Sequence, residues 1–244
     1  MSAVGDINQI ASPSTPMTPV SMLEYPAMMA HRGGPNLHPE GTMQAFRNIA
    51  RDYPDHVIEM DVRALKDGTL ALCHDETITR LSADGRTDRV ADLTLEQWRK
   101  VRIKDPLGGP PAPAAILQDV LDEFGGTGTV LSIEIKDPAI QQDYIAALWP
   151  YRRQVVACSF DVDVVSVLVR SGFYAQQISR DIPAAYVPGI NCVSIGWDRI
   201  TKAMVDEVHA LDAVVWAWTI NDPTIKADML AMGVDGIVTN EPGL

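Results

Sequence analysis

Eight short apolar runs, separated by amphipathic stretches of helical length, constrain the fold of this 244-residue chain more than any other feature. Several runs are apolar on both faces, as the strands of a buried parallel sheet are. The runs lie at 27–30, 57–62, 129–136, 154–160, 175–179, 191–196, 213–219 and 236–239. Helical stretches lie between them at 42–52, 140–149, 161–171, 201–211 and 222–232. This alternation predicts an α/β fold, a (β/α)8 TIM barrel.

A doubly wound open sheet is the structural alternative to the barrel. It is disfavoured because no Gly-x-Gly-x-x-Gly motif follows the first run. The first residues, 1–25, have the Ser, Thr and Pro content of an N-terminal arm or linker, and the barrel is predicted over 26–244. A small insertion is predicted after the second strand region, at approximately 75–128. Because too few residues follow the last run to form a covering helix, we expect the arm to cover the seam between the eighth and first strands or the adjacent barrel bottom.

Composition and charge exclude several classes of function. The formal net charge of −12 disfavours a nucleic-acid partner, since phosphate backbones are held mainly by clustered Lys and Arg. No run has the length of a membrane span, so no stable membrane insertion is expected. The three cysteines, Cys73, Cys158 and Cys192, predict buried free thiols in a reducing compartment. Residues 1–31 lack Lys, Arg and a signal-peptide core, which predicts a cytoplasmic location.

Acidic residues stand at the ends of two neighbouring predicted strands. Glu59 and Asp61 are two apart on one strand, so their side chains point to the same face. Two acids in an otherwise apolar run must be solvated or share a cation, because an unpaired buried carboxylate is very costly. Glu134 adds a third carboxylate on the next strand, and three oxygen donors suit Mg²⁺ or Ca²⁺ better than zinc. The alternative is that the acids only pair with the basic residues Arg32, Arg63 and Lys136.

Two histidines and two cations accompany these acids at predicted strand ends. His31 follows the first run and His74 follows the apolar run 70–73. An isolated histidine after a strand is commonly structural, but cleavage of a phosphodiester needs one group that removes a proton and another that supplies one. Arg32 offers a planar fork for two phosphate oxygens, and Lys136 offers a mobile point charge. The set looks like a phosphodiester-cleaving metal site.

Five motifs in this order resemble the glycerophosphodiester phosphodiesterase family. They are His31-Arg-Gly33, Pro39-Glu-Gly-Thr42, Glu59-Met-Asp61, His74-Asp75 and Ile133-Glu-Ile-Lys136. The likeness extends from about residue 27 to residue 242 and includes Trp218-Thr-Ile-Asn221. It implies a metal-dependent enzyme that hydrolyses a small-molecule glycerophosphodiester to glycerol 3-phosphate and an alcohol. The insertion matches a small subdomain of that family.

The resemblance also implies roles for individual residues. His31 and His74 would be the general acid and base, with the metal held by Glu59, Asp61 and Glu134. Arg32, Lys136, Trp218 and Asn221 would contact the substrate, and Glu40 would orient Arg32 or a ligand water. Two positions depart from the family pattern: Gly41 stands where the family carries Asn, and Asn240 stands where relatives often carry Asp.

Two other functions are weighed against this one. A phospholipase D or sphingomyelinase D acting on lipid headgroups uses a similar site, but such enzymes usually have secretion signals and disulfides, which the sequence does not indicate. A barrel without catalytic activity, serving as a binding module, would not need the complete set of acids and bases. The released alcohol, the physiological metal and the oligomeric state are left open by the sequence. So is the nucleophile, which is either water or the substrate's own hydroxyl.

Overall fold

The structure, a computed structural model, describes residues 23–244. Within them the strands are β1 (Ala27–Ala30), β2 (Val57–Ala64), β3 (Leu70–Leu72), β4 (Arg102–Ile103), β5 (Ala112–Pro113), β6 (Leu131–Ile135), β7 (Val155–Ser159), β8 (Tyr174–Ser179), β9 (Cys192–Gly196), β10 (Val214–Trp218) and β11 (Gly236–Thr239). The α-helices are α1 (Met43–Asp52), α2 (Leu95–Trp98), α3 (Leu117–Phe124), α4 (Gln141–Leu148), α5 (Val162–Arg170), α6 (Lys202–His209) and α7 (Pro223–Ala231).

Eight of these strands close into a parallel barrel, which confirms the predicted fold. Their order is β1-β2-β6-β7-β8-β9-β10-β11, and β1 pairs in parallel with both β2 and β11. The closure excludes the doubly wound open sheet. The eight predicted runs coincide with the eight barrel strands, and their ends differ by no more than two residues. β3 is an antiparallel addition to the end of β2.

Helices cover the outside of the barrel, and the five helical stretches predicted between the runs are α1, α4, α5, α6 and α7. Their polar N-caps explain where they begin: the side chains of Thr42, Asp161, Thr201 and Asp222 accept hydrogen bonds from the first turns of α1, α5, α6 and α7. Between β8 and β9, residues 180–191 form a loop without a helix. None of the helices between residues 23 and 244 is both long and apolar enough to cross a bilayer.

The segment predicted as an insertion, approximately 75–128, contains two kinds of structure. Leu117 and Val120 of α3 belong to the main core, so this helix covers the barrel. Upstream of it, a small second core is formed around Ile78, Trp98 and Val101, beside the β4–β5 pair. The domain boundaries stay a prediction. Residues 1–22 of the predicted arm, and with them the expected packing of the arm on the barrel, fall outside the described residues.

The interior of the barrel is apolar at the bottom and charged at the top. Met29, Val57, Val156 and Trp216 fill the lower part. Asp61 and Glu134 pair near the carboxyl end of the parallel stretch of β2 and β6, with Glu59 two residues before Asp61, and active sites of this fold are built at that end of the barrel. The three cysteines are buried and unpaired, as predicted.

The turn after β1 places two predicted site residues and depends on glycine. His31–Gly33 forms a short 3-10 turn in which Arg32 adopts a φ of 51° and Gly33 a φ of 79°. A Cβ atom on Gly33 would lie 2.9 Å from the Cβ of Ala45 in α1. Glycine therefore permits both the left-handed backbone and the close approach of α1. This turn aims Arg32 toward the top of the barrel.

Gly33→Ala should destabilise the protein more than Gly68→Ala does. Both glycines have a positive φ, 79° and 84°, but nothing lies within 4 Å of a Cβ added to Gly68. The Gly33 variant should lose roughly 1–3 kcal/mol more in free energy of unfolding, the cost of overpacking. Urea unfolding of the two variants measures the difference. Equal losses would show that α1 does not crowd the turn.

Candidate active site

Three carboxylates from adjacent strands meet at the top of the barrel. Glu59 and Asp61 point inward from β2, and parallel pairing places Glu134 of β6 beside Asp61. All three are buried, and one carboxylate oxygen of each lies within 4.8 Å of the other two. Burial and the charge of Asp61 raise the pKa of Glu134 to about 7 and that of Glu59 well above its usual value. The cluster is therefore under strong electrostatic repulsion.

Two cations offset part of this repulsion. Lys136 Nζ lies 2.6 Å from Glu134 Oε1 and 3.2 Å from Asp61 Oδ1. The Arg32 backbone N–H donates to Glu59 over 2.7 Å, and its Nε lies 3.3 Å from Asp61 Oδ2. Burial would raise the pKa of Asp61, but Lys136 and Arg32 lower it below its usual value. The ion pairs that the alternative interpretation expects for Arg32 and Lys136 are thus present, while Arg63 instead donates to the carbonyl oxygen of His74 over 2.9 Å.

The carboxylate cluster can still bind a further cation when these ion pairs are formed. Three carboxylates face two positive side chains, so one negative charge is in excess. Asp61 Oδ1 and Arg32 Nε are buried and, within the part of the chain that the structure describes, make no hydrogen bond of good geometry. Oxygen-only donors at this spacing suit a hard divalent cation. The donor set therefore fits a metal held by Glu59, Asp61 and Glu134.

His31 is held by an amide from the last strand. Its Nδ1 lies 2.7 Å from Asn240 Oδ1, and its Nε2 lies 4.0 Å from Glu59 Oε2. Burial, and then the charge of Arg32, lower the pKa of His31 to about 4. Asn240 is itself held, because its backbone N–H donates to Asn221 Oδ1 over 2.8 Å. Asn221 is exposed and supports the site through Asn240. Within residues 23–244, the pocket that contains the two histidines is lined by other side chains and not by Asn221.

His74 is held by a carboxylate instead. Its Nδ1 lies 2.7 Å from Asp75 Oδ1, and Arg80 Nε donates to the other oxygen of Asp75 over 2.7 Å. Burial would raise the pKa of Asp75, but the hydrogen bonds from Arg80 and His74 hold it at about 2. Burial lowers the pKa of His74, and the charge of Asp61 opposes that change. The two histidines thus have partners of different charge.

Glu40 lies behind Arg32, where the sequence predicts it. Its carboxylate accepts two hydrogen bonds from Arg80, of 2.6 and 2.8 Å, and one of 3.4 Å from Arg32. The neighbouring Gly41 has a φ of 66°. Asn and Gly are the residues that most readily adopt this left-handed backbone, so Gly can replace the family's Asn here.

One pocket connects these groups. Its polar lining includes both histidines, Arg32 and Lys136. Its aromatic lining includes Phe160 and Trp218. The two aromatic rings meet edge to face with centroids 5.8 Å apart, and Lys136 Nζ lies 5.6 Å from the Phe160 centroid. Deeper in the barrel, the lining combines the small or polar side chains of Ser132, Cys158, Gln176 and Ser194 with the apolar side chains of Met29 and Val238.

Comparison with known proteins gives the family. The model of the glycerophosphoryl diester phosphodiesterase family matches residues 31–244. The chain belongs to this family. A glycerophosphodiester phosphodiesterase of Caldanaerobacter subterraneus is 28% identical over 234 residues, which cover 88% of this chain and 94% of the relative. As a member of the family, the protein is a phosphoric diester hydrolase.

Two solved structures of this group share the fold. An Oleispira antarctica phosphodiesterase, solved with the product sn-glycerol-3-phosphate, has a TM-score of 0.76 at 19% identity, covering 89% of this chain and 94% of that one. The glycerophosphodiester phosphodiesterase of Thermotoga maritima has a TM-score of 0.70 at 21% identity, with 88% and 94% covered. Both likenesses concern the fold and agree with the predicted TIM barrel.

Several site residues were missed by the analysis of the sequence. Asp75 could have been found, because it directly follows His74 in the recognised motif. Arg80 and Phe160 carried no signal of their own, since each reaches the site through the fold, and Asn240 stood out only as a departure from the family pattern, without a role. The remaining histidines, His38, His56 and His209, bond to groups outside the pocket, as expected of structural residues.

The two tryptophans of β10 should respond differently to truncation. Trp218 lines the pocket, whereas Trp216 is 1% exposed within the lower barrel core. Trp218→Ala should lower kcat/KM about 5-fold, because an aromatic contact of roughly 1 kcal/mol is lost. Trp216→Ala should lower the free energy of unfolding by about 3–5 kcal/mol. Kinetics and urea unfolding of both variants test this; equal destabilisation, or an unaltered kcat/KM for Trp218→Ala, would contradict it.

Proposed function

We propose that the protein is a metal-dependent glycerophosphodiester phosphodiesterase that releases glycerol 3-phosphate and an alcohol. The observation that carries this proposal is the buried cluster of Glu59, Asp61 and Glu134, of which Glu59 and Glu134 line one pocket together with two histidines and two cations. The product bound to the Oleispira antarctica relative supports the same substrate class. The three buried free thiols support a reducing compartment, the cytoplasm.

The carboxylates would hold Mg²⁺ or Ca²⁺, because all three ligands are oxygen donors. Glu59, Asp61 and Glu134 would hold the cation, which would supply Lewis-acid polarisation of a phosphoryl oxygen and a contact for a glycerol hydroxyl. Arg32 and Lys136 stand on either side of Asp61, 3.3 and 3.2 Å from its two oxygens, and supply further positive charge to the phosphate. Their charge steadies the negative charge that develops as the bond breaks. A chain with a net charge of −12 can therefore bind an anion at this one place.

The two histidines exchange protons with the substrate. His31 accepts a proton: with Nδ1–H donated to the neutral Asn240, its Nε2 lone pair faces the site. His74 donates one, because the anionic Asp75 favours the protonated ring. The nucleophile, water or a substrate hydroxyl, loses its proton to His31 and forms a bond to phosphorus. The bond from phosphorus to the alcohol oxygen breaks, and that oxygen takes the proton of His74. With water as the nucleophile the product is glycerol 3-phosphate. With the substrate's own hydroxyl it is a cyclic phosphate, which water then opens to glycerol 3-phosphate: water gives its proton to His74, and the ring oxygen that leaves phosphorus takes the proton back from His31.

His31→Ala and His74→Ala should each lower kcat by about 10²–10⁴-fold, the usual contribution of a positioned acid or base. Because both serve one reaction cycle, the double variant should lose much less than the product of the single losses. His209→Ala is the control, since this histidine bonds Asp235 away from the pocket. An unaffected kcat in either single variant would remove that histidine from the mechanism.

The decisive assay compares soluble glycerophosphocholine with sphingomyelin and lysolipid vesicles. Chelator-treated protein should be inactive on glycerophosphocholine and regain activity with Mg²⁺ or Ca²⁺.

Glu134→Gln should lose both metal binding and activity while keeping its fold, because it removes one anionic ligand and conserves volume. Glu123→Gln, which alters a carboxylate bound to Arg47, is the control. Wild-type metal affinity in Glu134→Gln would contradict the ligand assignment, and turnover of the vesicles alone would contradict the substrate.

A further inference from the structure

Arg80 lies in the segment upstream of α3 and bonds two carboxylates, each of which contacts a residue of the active site. Its Nε donates to Asp75, and its two terminal nitrogens donate to Glu40. We infer that Arg80 is a positioning residue that sets His74 through Asp75 and Arg32 through Glu40 at the same time. The inference rests on the proposed function, because it gives a role to those two groups in phosphodiester cleavage.

The backbone at Arg80 is fixed by the small core of its segment. Ile78 is fully buried and Leu81 is 4% exposed, so the residues on either side of Arg80 are anchored. The backbone N–H groups of Leu81 and Ser82 both donate to the carbonyl oxygen of Ile78, over 3.0 and 2.8 Å. This tight turn directs the Arg80 side chain out of the small core and toward the barrel mouth. The guanidinium is thus presented from a rigid base.

The first contact fixes the orientation of His74. Asp75 uses one oxygen for His74 Nδ1 and the other for Arg80 Nε, each at 2.7 Å. The Asp75 side chain is 29% exposed, so without Arg80 it can rotate and bond water instead. His74 would then lose the partner that holds its ring and favours its protonated form. Loss of this contact should lower kcat.

The second contact controls Arg32. Glu40 is buried, and Arg80 occupies both of its oxygens at 2.6 and 2.8 Å, which leaves Arg32 only a long contact of 3.4 Å. Without Arg80, the Glu40 carboxylate would be free to pair closely with Arg32. That pairing would draw the Arg32 fork away from Asp61 and the phosphate position. Loss of this contact should raise KM.

The geometry requires an arginine. Three nitrogens of one planar group reach two carboxylates, which the single ammonium of lysine cannot do with the same hydrogen bonds. Arg80→Lys keeps the charge and should therefore recover only part of the activity. Added guanidinium ion should partly restore kcat in Arg80→Ala, because it can occupy the space between Asp75 and Glu40.

The experiment measures kcat and KM of the metal-loaded variants Arg80→Ala, Arg80→Lys, Asp75→Asn and Glu40→Gln. Arg80→Ala should lower kcat/KM about 10–100-fold, as loss of a group that orients a ligand or catalytic residue does. Asp75→Asn should reproduce its fall in kcat, whereas Glu40→Gln should not reproduce its rise in KM, because the neutral amide lacks the charge that would draw Arg32 away. The double variant Arg80→Ala/Asp75→Asn should show no further fall in kcat, since both remove one support.

Arg99→Ala is the matched control. The Arg99 side chain is 44% exposed, against 46% for Arg80, and it also makes a two-point contact with a carboxylate, Asp119. Its kcat and KM should equal those of the wild type. The inference is overturned if Arg80→Ala matches Arg99→Ala, if guanidinium has no effect, or if the kcat losses of Arg80→Ala and Asp75→Asn multiply. Arg80→Lys, which keeps the charge, serves the same comparison if Arg80→Ala does not fold.

A chromogenic phosphodiester separates this inference from the proposed function. A wild-type protein that cleaves the chromogenic ester but not glycerophosphocholine would overturn the substrate assignment. The Arg80 series could still be measured with that ester. If the wild-type protein cleaves glycerophosphocholine and Arg80→Ala has the same kcat and KM, the role of Arg80 is overturned and the proposed function is not.

Discussion

The repulsion among three buried carboxylates is the constraint on which the rest of the site depends. Glu59, Asp61 and Glu134 are each less than a tenth exposed, so water screens their charges poorly. Left alone, the cluster would favour protonation of its members or disruption of the barrel mouth. Arg32 and Lys136 offset two of the three charges, and a divalent cation would more than offset the third and leave the site positive. The same positive groups suit a phosphate, so stability and substrate binding use one set of charges.

The barrel brings these charges together by simple geometry. Alternation along β2 puts Glu59 and Asp61 on the inner face, and the register with β6 puts Glu134 next to Asp61. The 3-10 turn after β1 then carries His31 and Arg32 over the same opening. The residues that hold the two histidines lie in other segments. Asn240, which holds His31, follows β11, and Asp75, which holds His74, begins the segment that contains Arg80. Neighbouring strands thus supply the carboxylates, and residues that follow strands hold the histidines.

The sequence predicted the barrel strands and the acidic cluster because both follow from local periodicity. Strands buried on both faces are apolar throughout, and Glu59 and Asp61 stand out in such a run. The contacts of Arg80 could not be predicted, since Arg80 and Glu40 are forty residues apart and only the insertion's own packing joins them. Asn221 illustrates the opposite case. Its motif predicted a pocket residue, and the structure gives it a hydrogen bond to the backbone of Asn240.

The most direct test of the central charge relationship is anomalous diffraction from crystals soaked with Mn²⁺ and glycerol 3-phosphate. Manganese is a hard cation that prefers the same oxygen ligands as magnesium and gives a distinct anomalous signal. A single strong peak among Glu59, Asp61 and Glu134, with phosphate oxygens facing Arg32 and Lys136, is the predicted result. A manganese peak elsewhere, or Lys136 still bound to Glu134 with no metal in the cluster, would contradict it.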